Sequence, residues 1–196
     1  MTEAKITSLP PEKEKIPKKF SEMLASPNFR KALTLSAAHT RETGLEAGFD
    51  VELLPDGSFW IEAAKGGGTE SMSGGEPIAY IDEPKDETIE VINYFGFHIH
   101  PDLENVVIPS SSDLDLHFSN QGIFAGSQSE FMGIGQIGEK GKLKLLVVAK
   151  PKYVLTDSDL KFYEEETPRA RRLSQGDVNL LLSSIGLPNF LLEIKV

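Results

Sequence analysis

The chain contains four histidines, His39, His98, His100 and His117, and two of them stand at i and i+2 in the segment Thr88-Ile-Glu-Val-Ile-Asn-Tyr-Phe-Gly-Phe-His98-Ile-His100. Its β-branched and aromatic residues predict a strand. Side chains at i and i+2 of a strand share one face, with Cα atoms roughly 6–7 Å apart. That is close enough for two imidazoles to meet one metal ion at about 2.0–2.1 Å each. A catalytic zinc site also needs a third protein ligand and an open position. Asp113, in Pro109-Ser110-Ser-Ser-Asp113-Leu114, is the best-placed supplier, because the loop after the strand turns into a helix there and can return a carboxylate over the site. A metal ion so held lowers the pKa of water towards ~7, and a nearby carboxylate can then take the proton. Asp115, with Ser112 three residues before it, forms a second candidate pair. The Ser110-x-x-Asp113 spacing also fits a capping box, in which the pair only satisfies helix-end amides. His39 fits a helix end beside the terminal carbonyls. His117, four residues after Asp113, fits either a partner behind a ligand or an ordinary surface or core histidine.

The elements that must position these residues read as follows. Phe20 to Ala38 is helical in spacing, with a stop-and-start signal at Ser26-Pro27-Asn28, so that the second helix covers 28–38. Gly48 to Ala63 predicts two short strands around Pro55-Asp56-Gly57. Residues 65–77 form a glycine-rich loop without the Gly-Lys-Ser/Thr ending of a P-loop, and could act as a lid. Ser110 to Phe118 predicts a short helix. Phe131 to Ile137 and Lys142 to Ala149 predict two strands, Val178 to Ile185 a helix, and Phe190 to Val196 a last strand. Helices interspersed with hairpin-connected strands predict an α/β (α+β) fold, a mixed sheet with flanking helices.

Composition bounds the function. The chain has 196 residues, 20 Lys+Arg against 30 Asp+Glu, and no cysteine. Thiol nucleophiles, disulfides, thiolate zinc fingers and iron–sulfur clusters are therefore excluded. The net charge of −10 argues against nucleic acid as a partner. No apolar run approaches the ~18–20 residues of a membrane span, and the N-terminus lacks the apolar region of a signal peptide, so a cytoplasmic location is expected. Residues 41–104 hold fifteen acids against Arg41, Lys65 and Lys85 and carry the whole imbalance. That stretch is either a solvated acidic face or a field that draws in cations and basic partners. Residues 1–19 are charged and proline-broken, predicting a flexible arm before a single domain over 20–196.

Gly96-Phe-His98-Ile-His100-Pro101, followed by Pro109-Ser110-Ser-Ser-Asp113, resembles the JAMM signature of the JAB/MPN metalloproteases. The resemblance implies an MPN-like domain that binds Zn2+ through His98, His100 and Asp113. It makes Glu42, in His39-Thr-Arg-Glu42-Thr43-Gly44, the base that activates a zinc-bound water, with Glu46 as the alternative. Ser110 would hydrogen-bond the tetrahedral oxyanion. The implied reaction is hydrolysis of a peptide or isopeptide bond, and the implied substrate is a protein or peptide such as a ubiquitin-like or sulfur-carrier-like modifier. The loop between His100 and Asp113 is longer than the family's, Ile99 stands where Ser or Thr is frequent, and the chain after 150 matches no part of that family.

Two rival readings use the same residues. His98-Ile-His100-Pro-Asp-Leu-Glu104 has the spacing of a first cupin motif, which would hold a metal inside a β-barrel with Glu104 as a ligand. A non-catalytic MPN-like scaffold would keep the fold and mediate assembly.

Overall fold

The structure, a computed structural model, describes residues 5–6, 16–67, 75–101, 106–119, 129–138 and 141–196. It is an α+β fold, as the sequence predicts: one mixed sheet of nine strands with helices on both faces. In chain order the elements are β1 (Lys5–Ile6), α1 (Lys18–Ala25), α2 (Pro27–Thr43), β2 (Ala47–Leu53), β3 (Phe59–Trp60), β4 (Ala63–Gly66) and β5 (Glu76–Tyr80). They continue with β6 (Ile92–His100), α3 (Ser111–Phe118), β7 (Phe131–Ile137), β8 (Lys142–Ala149), α4 (Asp157–Leu173), α5 (Gln175–Ser184) and β9 (Asn189–Lys195). The strand order is β1-β9-β8-β7-β6-β2-β4-β5, with β3 paired to β2 off this path.

The first two helices break where the sequence signals a break. The Ser26 hydroxyl accepts the Phe29 N–H at 3.1 Å, and Pro27 fills the first helical position, where its missing N–H costs nothing. However, α2 does not stop at Ala38. It runs to Thr43 and ends at Gly44, whose φ of 70° is the left-handed conformation of a glycine C-cap. Of the expected arm 1–19, Lys5–Ile6 pairs with Leu192 and Glu193 of β9, and α1 already begins at Lys18.

Alternation along β6 divides the molecule. Phe95, Phe97 and Ile99 point into a core built with α1 and α2, where Phe20, Phe29, Phe49 and Leu33 are buried. Gly96, His98 and His100 therefore point to the other face. There Met132, Ile134, Leu146 and Val148 of the sheet pack against α3, α4 and α5 through Leu114, Phe118, Tyr163, Val178 and Leu182. At Gly96 only a glycine fits, since a Cβ would stand 2.4 Å from His117 Cε1.

Among the described strands, β6 and β7 form the one parallel pair, in register His98↔Ile134 and His100↔Gln136. Parallel neighbours require a crossover, and α3 lies within it. A crossover helix starts over the carboxyl ends of the strands it joins, which is where open α/β sheets gather functional groups. This connection places the start of α3 beside the end of β6. Of the expected loop 65–77, Lys65 and Gly66 belong to β4 and Glu76 and Pro77 to β5, while 68–74 lie outside the described residues. No helix of the described residues is long and apolar enough to cross a membrane.

Candidate metal centre

His98 and His100 leave the end of β6 on one face, with Nε2 atoms 3.0 Å apart. Asp113 reaches back from the first turn of α3, with Oδ1 3.4 Å from His98 Nε2 and Oδ2 3.9 Å from His100 Nε2. A second carboxylate enters from the chain just before β2: Glu46 Oε1 lies 3.8 Å from His100 Nε2. Glu46, His98 and His100 each offer a ligand atom within 4.8 Å of the others. Two ligands about 2.0–2.1 Å from a tetrahedral zinc stand roughly 3.3 Å apart. The donor separations here are of that size, and the donors are two neutral-capable imidazoles and two carboxylates, so the residues fit a zinc ion.

The capping box of Ser110-x-x-Asp113 is formed, and it occupies one of the two carboxylate oxygens. Asp113 Oδ2 accepts the Ser110 N–H at 2.7 Å and the Ser110 hydroxyl at 2.7 Å, while the Asp113 N–H donates to Ser110 Oγ at 3.1 Å. Oδ1 is left to face His98. The helix cap thus fixes the rotamer that aims the carboxylate at the imidazoles. Ser110, expected to hydrogen-bond an oxyanion, here has its hydroxyl 2.7 Å from Asp113 Oδ2 and 3.1 Å from Ser112 Oγ. Asp115, the alternative ligand, instead accepts from the Ser119 hydroxyl at the far end of α3.

Glu42, expected as the base, sits on the exposed last turn of α2 and is not among the residues that converge. The physical reason is the longer helix: while α2 continues to Thr43, Glu42 remains on its surface. The Gly44 turn then delivers Glu46 to the site.

Burial tunes these groups. Desolvation drives His98 down from 6.5 to about 4; the Asp113 charge opposes this, and His100 and His117 add to it. His98 is therefore neutral near pH 7, the form that donates a lone pair to a metal. For Asp113, burial pushes the pKa up, but His98, the two Ser110 hydrogen bonds and His100 together outweigh it and hold the carboxyl below its usual range. Burial also lowers His117, against the pull of Asp113. His117 lies over Gly96, with Nδ1 3.1 Å from the buried Ser129 hydroxyl, so it is a packed histidine behind the site. His39 faces Gly66 on the α2 side of the sheet, away from the centre.

The site is reachable from one side. The His98 side chain is 10% exposed, whereas those of His100 and Glu46 are 25% and 24% exposed. His100 and Glu46 thus form the more accessible side of the cluster and His98 its buried side. Glu46, which the sequence offers as the alternative to Glu42, is the carboxylate that joins the two histidines. Its signal was Thr43-Gly44, a helix stop that puts Glu42 inside the helix and Glu46 just ahead of the next strand.

Comparison of the chain with protein-family profiles, with curated proteins and with solved structures gave no match. The class that fold and site define is an α+β protein carrying a His/His/Asp/Glu cluster at the carboxyl end of a parallel strand pair.

Proposed function

We propose that this chain is a zinc-dependent hydrolase of peptide or isopeptide bonds. Zn2+ would be held by His98, His100 and Asp113, with Glu46 as the general base. The observation that supports this most strongly is the convergence of four residues from three separate chain segments, in the combination and order of the JAMM signature. A zinc ion would supply a Lewis acid that polarises the scissile carbonyl and acidifies water. The chain does the rest. His98 presents a neutral Nε2 atom with the His100 Nε2 beside it, and the Ser110 cap holds the Asp113 carboxylate aimed at them. Glu46, on the open side beside His100, accepts a proton from water and returns it to the departing amine. Glu42 has no part in this scheme. The open sheet, with β1 and β5 as edges, is not the closed barrel that the cupin alternative requires; Glu104 lies outside the described residues.

The test is hydrolysis of a peptide or modifier-fusion panel by zinc-loaded protein, with Glu46→Gln and Glu42→Gln alongside. Loss of a general base costs about 10²–10⁴-fold. Glu46→Gln is expected to lose that much while keeping zinc, and Glu42→Gln to remain within about twofold of wild type. Retained hydrolysis in Glu46→Gln would remove it from the role. Stoichiometric zinc without hydrolysis of any panel member would favour the scaffold reading.

A further inference from the structure

Two contacts tie α3 to β6, and they match in spacing. In the first turn of the helix, Asp113 Oδ1 stands 3.4 Å from His98 Nε2. One turn later His117 covers Gly96: a Cβ there would meet three atoms of its imidazole, Cε1 at 2.4 Å, Nε2 at 3.2 Å and Nδ1 at 3.3 Å. Residues four apart share one face of a helix and are separated by a rise of about 6.0 Å. Gly96 and His98, two apart on β6, share one face and stand about 6.6 Å apart. The helix therefore runs back along the strand with one turn laid against two residues. The second contact is anchored from a third segment. His117 Nδ1 lies 3.1 Å from the Ser129 hydroxyl, and Ser129 is fully buried. The residue after it is held by the sheet: the Glu130 N–H donates to Asn93 O at 3.2 Å, and the Glu130 carbonyl accepts the Lys150 N–H at 2.9 Å. The other buried residues of α3, Leu114 and Phe118, pack in the apolar core. Apolar packing is non-directional and tolerates a small slide, whereas a hydrogen bond weakens steeply away from its preferred geometry.

We propose that His117 and Ser129 form a latch that positions the third zinc ligand: by holding α3 in register on β6, they keep Asp113 opposite His98. This role rests on the zinc site of the hydrolase reading. His117 stands outside the ligand cluster and acts through Asp113, so it is a positioning residue. The Ser110 cap sets the rotamer of Asp113, and the latch sets where the helix that carries Asp113 lies. A slide of one residue along the helix axis displaces the carboxylate by about 1.5 Å. That is most of the ~2.0–2.2 Å length of a zinc–oxygen bond. Glycine at position 96 is part of the same device, because any larger residue would lift His117 from the strand.

The experiment uses the full-length protein and three readouts. They are zinc affinity by competition with a chromophoric chelator, the visible spectrum of the cobalt(II)-loaded protein, and, without metal, nuclear Overhauser contacts between Asp113 and His98. Ser129→Ala and His117→Leu remove the hydrogen bond, and His117→Asn keeps a polar atom near the place of Nδ1. Val178→Ala loosens the same core from α5 and serves as the control for lost stability alone. Ser129→Ala and His117→Leu are expected to weaken zinc binding about tenfold, the lower end for loss of a partner behind a ligand. Both should also change the cobalt spectrum and lose the Asp113–His98 contacts. His117→Asn should recover most of the affinity and the wild-type spectrum. Val178→Ala should keep all three readouts at wild type, whatever it costs in urea midpoint. If His117→Leu does not fold, Ser129→Ala, which removes a single oxygen, decides. Wild-type affinity and spectrum in Ser129→Ala, or an equal loss in Val178→Ala, overturns the latch while leaving the hydrolase reading intact. If the wild type binds no zinc, the hydrolase reading falls, and the metal-free contacts decide the latch separately. Their loss in Ser129→Ala sustains it, and their persistence there ends it.

Discussion

Two capping boxes among the described residues provide a paired test of whether Ser110 serves the candidate metal centre or only its helix. At α3, Ser110 Oγ to Asp113 Oδ2 is 2.7 Å and the return bond from the Asp113 N–H is 3.1 Å. At α4, Thr156 Oγ1 to Asp159 Oδ2 is 2.7 Å and the return bond is 3.3 Å. The local chemistry is the same, but only Asp113 turns its other oxygen to a histidine. Replacing either cap by alanine costs about 1 kcal/mol of folding stability. Ser110→Ala additionally frees the carboxylate that faces His98, and loss of such a supporting hydrogen bond lowers metal affinity about 10–100-fold, or roughly 1.4–2.7 kcal/mol. Urea denaturation of the metal-free proteins should show similar losses for Ser110→Ala and Thr156→Ala. Zinc titration against a chromophoric chelator should separate them, with weakened binding in Ser110→Ala and wild-type binding in Thr156→Ala. Wild-type zinc affinity in Ser110→Ala, or an equal loss in Thr156→Ala, would refute the argument that the cap aims the ligand.

Acidification should destabilise the metal-free protein. The unfolded chain protonates His98 near 6.5 and the folded one only near 4, so the unfolded state binds the extra proton between these values. The stability from neutral burial is full above about pH 6.5 and falls as pH drops towards about 4, by about 3 kcal/mol, with His117 acting in the same direction. A urea midpoint that stays flat from pH 7.5 to about 5 would contradict this. Gly96→Ala drives a methyl group to within 2.4 Å of His117 Cε1 and should cost about 1–3 kcal/mol, read as a lower urea midpoint. An unchanged midpoint would mean that His117 does not pack on β6 as described.

The histidine pair and its face were legible because β-alternation is local: Phe95, Phe97 and Ile99 against Gly96, His98 and His100 is a pattern any strand must obey. Asp113 was legible for a similar reason, since Ser-x-x-Asp after a proline marks a helix start whether or not a metal is present. The choice between Glu42 and Glu46 turned on one helix boundary. Ending α2 at Ala38 left Glu42 in a loop, whereas Gly44 at φ 70° ends the helix after Thr43. The helix α4 went unrecognised because, among its described side chains, Tyr163 and Ala170 are the buried ones, and because Pro168 interrupts the pattern. The Thr156-x-x-Asp159 cap was its available signal. The parallel pairing of β6 with β7 is a long-range choice that no local spacing encodes. Yet that pairing brings α3 across the sheet and makes Asp113 a neighbour of the histidines.

The most direct measurement is a crystal structure of the zinc-loaded protein with data collected on both sides of the zinc absorption edge. A single anomalous peak bonded by His98 Nε2, His100 Nε2 and an Asp113 oxygen, with Glu46 beside it and Glu42 in solvent, is the predicted result. A peak elsewhere, or no peak from protein saturated with zinc, would contradict the account.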